Sequence, residues 1–165
     1  MKNTEHYKNK RVIIVGLARS GLACANLLYD LGADVSITDN SDTELTRANV
    51  LRLKSKQIKV ELGRHTQEFI REKDFMIISP GVTGDALPVI WAQNFKIPII
   101  NEIELAGDLC PATVIAVTGS NGKTTVVTLI GSMLKAKDEK VFICGNIGDH
   151  FAGEVEKIKD GDFVS

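Results

Sequence analysis

The sequence predicts an α/β fold built on a mostly parallel sheet, and three observations predict it. Short β-branched apolar runs recur along the 165 residues with helical segments between them, which is the rhythm of βαβ units. Several runs are apolar on both faces instead of alternating, as strands are when helices cover a sheet on each side. Two of the strands run straight into glycine-bearing turns that open helices, the arrangement in which parallel sheets collect ligands at their carboxyl ends.

The strand runs are RVIIV (11–15), DVSIT (34–38), IKVEL (58–62), FMIIS (75–79), IPII (97–100), TVIAVT (113–118), KVFIC (140–144) and DFVS (162–165). Residues 20–31 carry apolar positions at 22, 23, 27, 28 and 31, a helical stripe that ends at Gly32 in the position that favours glycine. Residues 124–135 read in the same way, and 86–94 and 102–109 are shorter helices. The best boundary is the turn ending at Pro111, because proline cannot continue a helix and a new strand follows at once. Residues 1–110 then form one domain and 111–165 the start of another. The last strand stops in mid-pattern at Ser165, and a final parallel strand without a next neighbour is expected to be an unpaired edge. The chain is therefore expected to be the N-terminal portion of a longer protein.

Composition narrows the function. With 20 basic and 21 acidic residues the net charge is −1, and the part before Pro111 carries 14 of each while the part after carries 6 basic against 7 acidic. No basic stripe stands out, so nucleic acid is not expected as a partner and any anion site must be local. The polar N-terminus MKNTEHYKNKR precedes an apolar run of only four residues, 12–15, too short for a signal core or the ~20 residues of a membrane span. A cytoplasmic protein with no membrane contact is expected. Cys24, Cys110 and Cys144 have no metal or redox spacing and are expected to be buried, reduced thiols. His6, His65 and His150 lack ligand spacing; His6 and His65 read as solvated surface residues, with a site role more open for His150. Glu102 and Glu104 fit exposed or first-turn positions of a helix and are assigned no chemistry.

The strongest local signal is TVIAVTGSNGKTTVVTLIGSML. An apolar strand runs into Gly119, Ser120, Asn121, Gly122, Lys123, Thr124 and Thr125, and a helix begins there, with Val126 in its first turn. Glycines let successive N–H groups point inward, and the helix start adds partial positive charge, which together make a phosphate cradle. Lys123 then reaches the β- and γ-phosphates and the Thr124 hydroxyl reaches Mg²⁺. The first glycine of the longer GxxxxGK[ST] pattern would fall at Val117, so this is a shorter variant; a simple Gly/Asn turn capping a helix is the alternative. The second signal is Gly16, Leu17, Ala18, Arg19, Ser20 and Gly21 between the first strand and first helix, followed by Asp39, 18 residues after Gly21. It has the spacing of GxGxxG with Ala18 in place of the central glycine. A diphosphate site, a nicotinamide dinucleotide site and plain strand-to-helix packing are all open on this motif alone. Ser79 in SPG and Asn146 in GNIG lie at two further strand ends.

With VGLARSG, SPG, NEIELA, VTGSNGKTT and GNIG in that order, the sequence resembles the N-terminal part of the Mur ligases over about residues 10–165. SPG and EIELA point to the D-glutamate-adding branch. The resemblance implies a Rossmann-like domain followed by the first β-P-loop-α-β part of a P-loop ATPase domain. It implies a monomeric cytoplasmic enzyme of peptidoglycan synthesis that uses ATP and Mg²⁺ to activate the carboxylate of UDP-N-acetylmuramoyl-L-alanine as an acyl phosphate, which D-glutamate attacks. By motif, Gly119 to Val126 fall on the ATP loop, with Lys123 on the phosphates and Thr124 on the metal. Leu17, Ala18, Arg19, Ser20 and Gly21 fall on the diphosphate site, Asp39 and Asn40 on the uracil end, and Ser79 and Asn146 near the substrate. The pattern departs from the family at Ala18 and at Asp149, where a proline is usual shortly after GNIG. The metal-binding glutamate strand and the amino-acid domain of the family would lie beyond Ser165, so this chain alone is expected to be inactive. Another Mur-type or folylpolyglutamate-type ligase, and a non-catalytic nucleotide-binding module, are the alternatives.

Overall fold

The computed structural model describes residues 1–145 and 150–165. Five strands, β1 (Arg11–Val15), β2 (Asp34–Asp39), β3 (Lys59–Leu62), β4 (Phe75–Ile78) and β5 (Ile99–Asn101), form a parallel sheet in the order β3-β2-β1-β4-β5. The chain begins in the middle of the sheet, builds outward to β3, then crosses to β4 on the other side of β1. This reversal places a crevice at the carboxyl ends of β1 and β4, the switch point at which such sheets take ligands.

Alternate residues of β1 serve opposite faces. Val12 and Ile14 join Val35, Ile37 and Ile77 beneath α1 (Arg19–Asp30) and α5 (Glu102–Leu109), whereas Ile13 and Val15 join Met76 with Ile70 and Ala92. The second group is covered by α3 (Gln67–Ile70) and α4 (Leu87–Asn94). Both faces are dry, which is why the run shows no polar alternation. The first helix ends as its glycine requires: Gly32 has φ +80°, its N–H donates to Tyr29 and that of Ala33 to Leu28, a Schellman closure. Reciprocal capping boxes open α2 (Glu44–Val50), through Thr43 and Thr46, and α5, through Asn101 and Glu104.

A second parallel sheet joins β6 (Thr113–Val114), β7 (Val141–Phe142) and β8 (Phe163–Val164) in the order β6-β8-β7. The expectation of an edge at the last strand is thus corrected: β8 lies between the other two and is paired on both sides. TVIAVT pairs with β8 only at its start. The N–H of Ile115 still reaches Val164 O at 2.8 Å, and among the described residues no strand pairs with 116–118. The helix α6 (Lys123–Lys135) lies on β7, with Gly131 so close to Ile143 that a Cβ there would be 2.9 Å from its Cδ1. The short helix α7 (Phe151–Glu154) packs elsewhere: Phe151, Ala152 and Val155 enter the core formed with α1 and α5. Cys24 and Cys110 are buried, whereas Cys144 is only half-buried. Among the described residues no helix is long and apolar enough to cross a membrane.

Candidate functional site

The turn after β1 is built by backbone crowding. Gly16 has φ +100° and its N–H donates to Thr38 O at 2.8 Å. A Cβ on Gly21 would meet Gly16 O at 1.9 Å, so α1 can start this close to the strand only from a glycine. Leu17 is then fixed from both sides. Its N–H donates to Asp39 Oδ2 at 2.7 Å and its carbonyl accepts from Asn49 Nδ2 at 2.9 Å, with Asn49 buried. The other Asp39 oxygen accepts the N–H of Ser41 at 2.8 Å. Asp39 therefore ties the glycine turn to the end of β2. On the other side, Ser79 donates its N–H to Val15 O at 3.0 Å and its hydroxyl to Gly16 O at 3.3 Å.

Above this turn lies a cleft of about 810 Å³ at the carboxyl ends of β1, β2 and β4. Ala18, Arg19, Ser20, Asp39, Asn40 and Ser79 all line it. Leu17 and Gly21 do not: the Leu17 side chain is fully buried and Gly21 lies against Gly16, so both shape the turn from below. Arg19 is the exposed cation at the mouth, while Ser20 is buried.

Three residues given no firm site role from sequence also reach the cleft. His65 is not a solvated surface residue: it lines the cleft, with Nδ1 2.8 Å from the Thr38 hydroxyl. Burial pushes its imidazole pKa below the usual value, against the opposing charges of Asp39 and Glu61. Its position just past β3, at the same sheet end as the glycine turn, was the available signal. Glu102 is not exposed either. It is buried, lines the cleft, and its Oε1 accepts the N–H of Ala152 at 2.7 Å. His150 lines the cleft from the residue that precedes α7.

The second turn has the backbone its glycines predict. Gly119 and Gly122 have φ +146° and +78°, with open space where a Cβ on Gly122 would stand. The first helical bond runs from Val126 N–H to Gly122 O at 3.0 Å, which leaves the amides of Lys123, Thr124 and Thr125 directed out of the start of α6. The Lys123 ammonium folds over the turn, donating to Gly119 O and, at 3.4 Å, to Ser120 O. Ser120, Asn121, Thr124 and Thr125 are exposed. These amides, the ammonium and the Thr124 hydroxyl suit a polyphosphate with its cation. None of residues 119–126 lines the cleft of the first sheet. Asn146 lies outside the described residues.

The Mur ligase MurD-like N-terminal domain family matches residues 10–101, and the Mur ligase middle domain family matches residues 117–159. A UDP-N-acetylmuramoylalanine–D-glutamate ligase of Koribacter versatilis is 43% identical over 141 residues, 86% of this chain and 31% of that protein. The enzyme of the same name from Geotalea daltonii is 37% identical over 158 residues, 96% of this chain and 34% of that protein. The chain spans about a third of the length of the curated relatives it matches. Among solved structures, a pseudomurein peptide ligase type C from Methanothermus fervidus superposes with a TM-score of 0.53 at 22% identity, covering 95% of this chain and 32% of that one. UDP-N-acetylmuramate-alanine ligase MurC from Thermotoga maritima gives 0.51 at 24% identity, covering 80% and 30%. These two likenesses show the Mur ligase fold, and the family match over more than half the chain shows the descent: the chain belongs to the Mur ligase family, in its MurD-like group.

Proposed function

We propose that this chain supplies the nucleotide-sugar site and the opening of the ATP site of a ligase that joins D-glutamate to UDP-N-acetylmuramoyl-L-alanine in peptidoglycan synthesis. The observation that carries the reading is the likeness to D-glutamate ligases running through both halves, at 37% identity over 158 residues. Residues 1–110 form the domain for the uridine nucleotide, and 111–165 begin the ATP domain.

In the first domain, the diphosphate lies over the turn of residues 16–21, within reach of the exposed Arg19 guanidinium and the first amides of α1. The uracil end lies toward Asp39 and Asn40, and Ser79 closes the wall opposite. In the second, the amides at 123–125 and the Lys123 ammonium hold the phosphates, and Thr124 is the metal-side hydroxyl. ATP with Mg²⁺ supplies the phosphoryl group that activates the substrate carboxylate. The chain's own part is positioning and charge neutralisation, which is most of what phosphoryl transfer asks of a protein. Asn146 is assigned to the substrate side. The protein acts in the cytoplasm as a monomer.

Calorimetric titration of uridine diphosphate and of NAD into the chain tests the first site. Uridine diphosphate binding more tightly than NAD is the expected result, and the reverse order removes the assignment.

A further inference from the structure

Glu102 is a buried carboxylate that the proposed reaction does not use. It is 3% exposed, and no ion pair among the described residues includes it. A charge taken out of water needs compensation from somewhere. Here it comes from two helix starts. Glu102 is the first residue of α5, and its Oε1 accepts the Ala152 N–H at 2.7 Å from the first turn of α7, 50 residues further along the chain. First-turn amides have no partner inside their own helix and carry partial positive charge. At the same place α7 enters the core: Ala152 and Phe151 are buried beside α1 and α5. His150, the residue just before α7, lines the same cleft as Glu102.

We infer that Glu102 is a positioning residue, whose carboxylate latches the start of α7 to the first sheet and so seats His150 in the wall of the nucleotide cleft. The segment after β7 is thereby joined to the ligand end of the first domain by a hydrogen bond to the Glu102 carboxylate as well as by the burial of Phe151, Ala152 and Val155. Glu102 lines the cleft beside the helix that it holds, and the role assigned to it is the hold on α7. This inference rests on the reading of the cleft as a uridine nucleotide site.

Two measurements on the chain test it, amide hydrogen exchange over residues 151–154 and titration with uridine diphosphate. Glu102→Ala is expected to speed exchange in 151–154 at least about tenfold while strand amides of the first sheet hold their protection, and to weaken nucleotide binding by about tenfold, the worth of one such hydrogen bond. Glu102→Gln keeps an oxygen acceptor and is expected to stay within about threefold of the parent in both. Ala152→Pro removes the donor and leaves Glu102 in place, so it repeats the exchange result if Glu102→Ala does not fold. Unchanged exchange in 151–154 in both loss variants overturns the latch, as does a Glu102→Gln chain that behaves like Glu102→Ala. Failure of the parent chain to bind uridine diphosphate overturns the cleft assignment instead, and the exchange arm then decides the latch alone.

Discussion

Gly21 backs onto the carbonyl oxygen of Gly16 so closely that a Cβ there would lie 1.9 Å from it. Relief would require moving either the turn or α1, and Gly16 is tied to Thr38 and Ser79. Gly21→Ala is therefore expected to cost about 3 kcal/mol of overpacking and to lower the melting midpoint by roughly 6–12 °C at the usual conversion for this size. Differential scanning calorimetry checks this, and a midpoint within a degree of the parent contradicts the crowding.

Asn49 makes its case through the same turn. Its Nδ2 donates to Leu17 O at 2.9 Å from a site only 3% exposed. Asn49→Leu leaves that carbonyl without its donor, which costs about 1–3 kcal/mol, and frees the turn that carries Arg19 and Ser20. Chemical denaturation should show the loss, and uridine diphosphate affinity should fall with it. Stability loss with full affinity would mean that the turn holds its shape without Asn49.

The glycine turns, most of the strand positions and the α1 and α5 helices were legible because each depends on neighbours in sequence: a β-branched run, a stripe at 3.6 spacing, a glycine where φ must be positive. What was hidden depends on pairs that only the folded chain brings together. His65 reads as a surface residue until Thr38, 27 residues earlier in the chain, comes within 2.8 Å of it. Glu102 reads as an acid at an exposed or first-turn position of a helix; it is the first residue of α5 but buried, and it bonds to α7, which arrives 50 residues later. The strand order in the second sheet is of the same kind, since β8 is last in the chain and central in space. Sequence order carries no trace of that insertion.

His65 gives stability a pH dependence with a definite sign. Burial holds its pKa below the ordinary value of 6.5, outweighing the Asp39 and Glu61 charges that face it from β2 and β3. The folded state therefore binds fewer protons than the unfolded one just below pH 6.5, and the contribution of neutral His65 is present above that pH and lost as pH falls through the depressed folded value. Melting midpoints of the parent and His65→Gln chains, measured from pH 7.5 down to 5, should converge as pH falls. A gap that widens toward acid would reverse the sign and give His65 a charged partner in the fold.

Core and surface leucines should separate cleanly. Leu105 is fully buried between α5 and the first sheet, whereas Leu129 on α6 is 52% exposed. Leu105→Ala is expected to cost about 2–5 kcal/mol, and Leu129→Ala about 0.5 kcal/mol or less. Equal losses in urea denaturation would show that α6 is packed more tightly than its exposure in this chain indicates.

Lys123 separates stability from chemistry. Among the described residues its ammonium donates to the exposed turn carbonyls of Gly119 and Ser120 alone, so Lys123→Ala should leave the melting midpoint of this chain within about a degree, as surface changes do. On the proposed function, the same change in a complete ligase is expected to remove the fixed positive charge facing the transferring phosphoryl group. Loss of one preorganised partner of that kind costs on the order of 10²–10³ in kcat. Steady-state ADP release by the complete enzyme, set beside calorimetry of the chain, checks both halves. A large fall in midpoint would make Lys123 a structural tie for the turn, and near-normal turnover would take it out of the phosphate site.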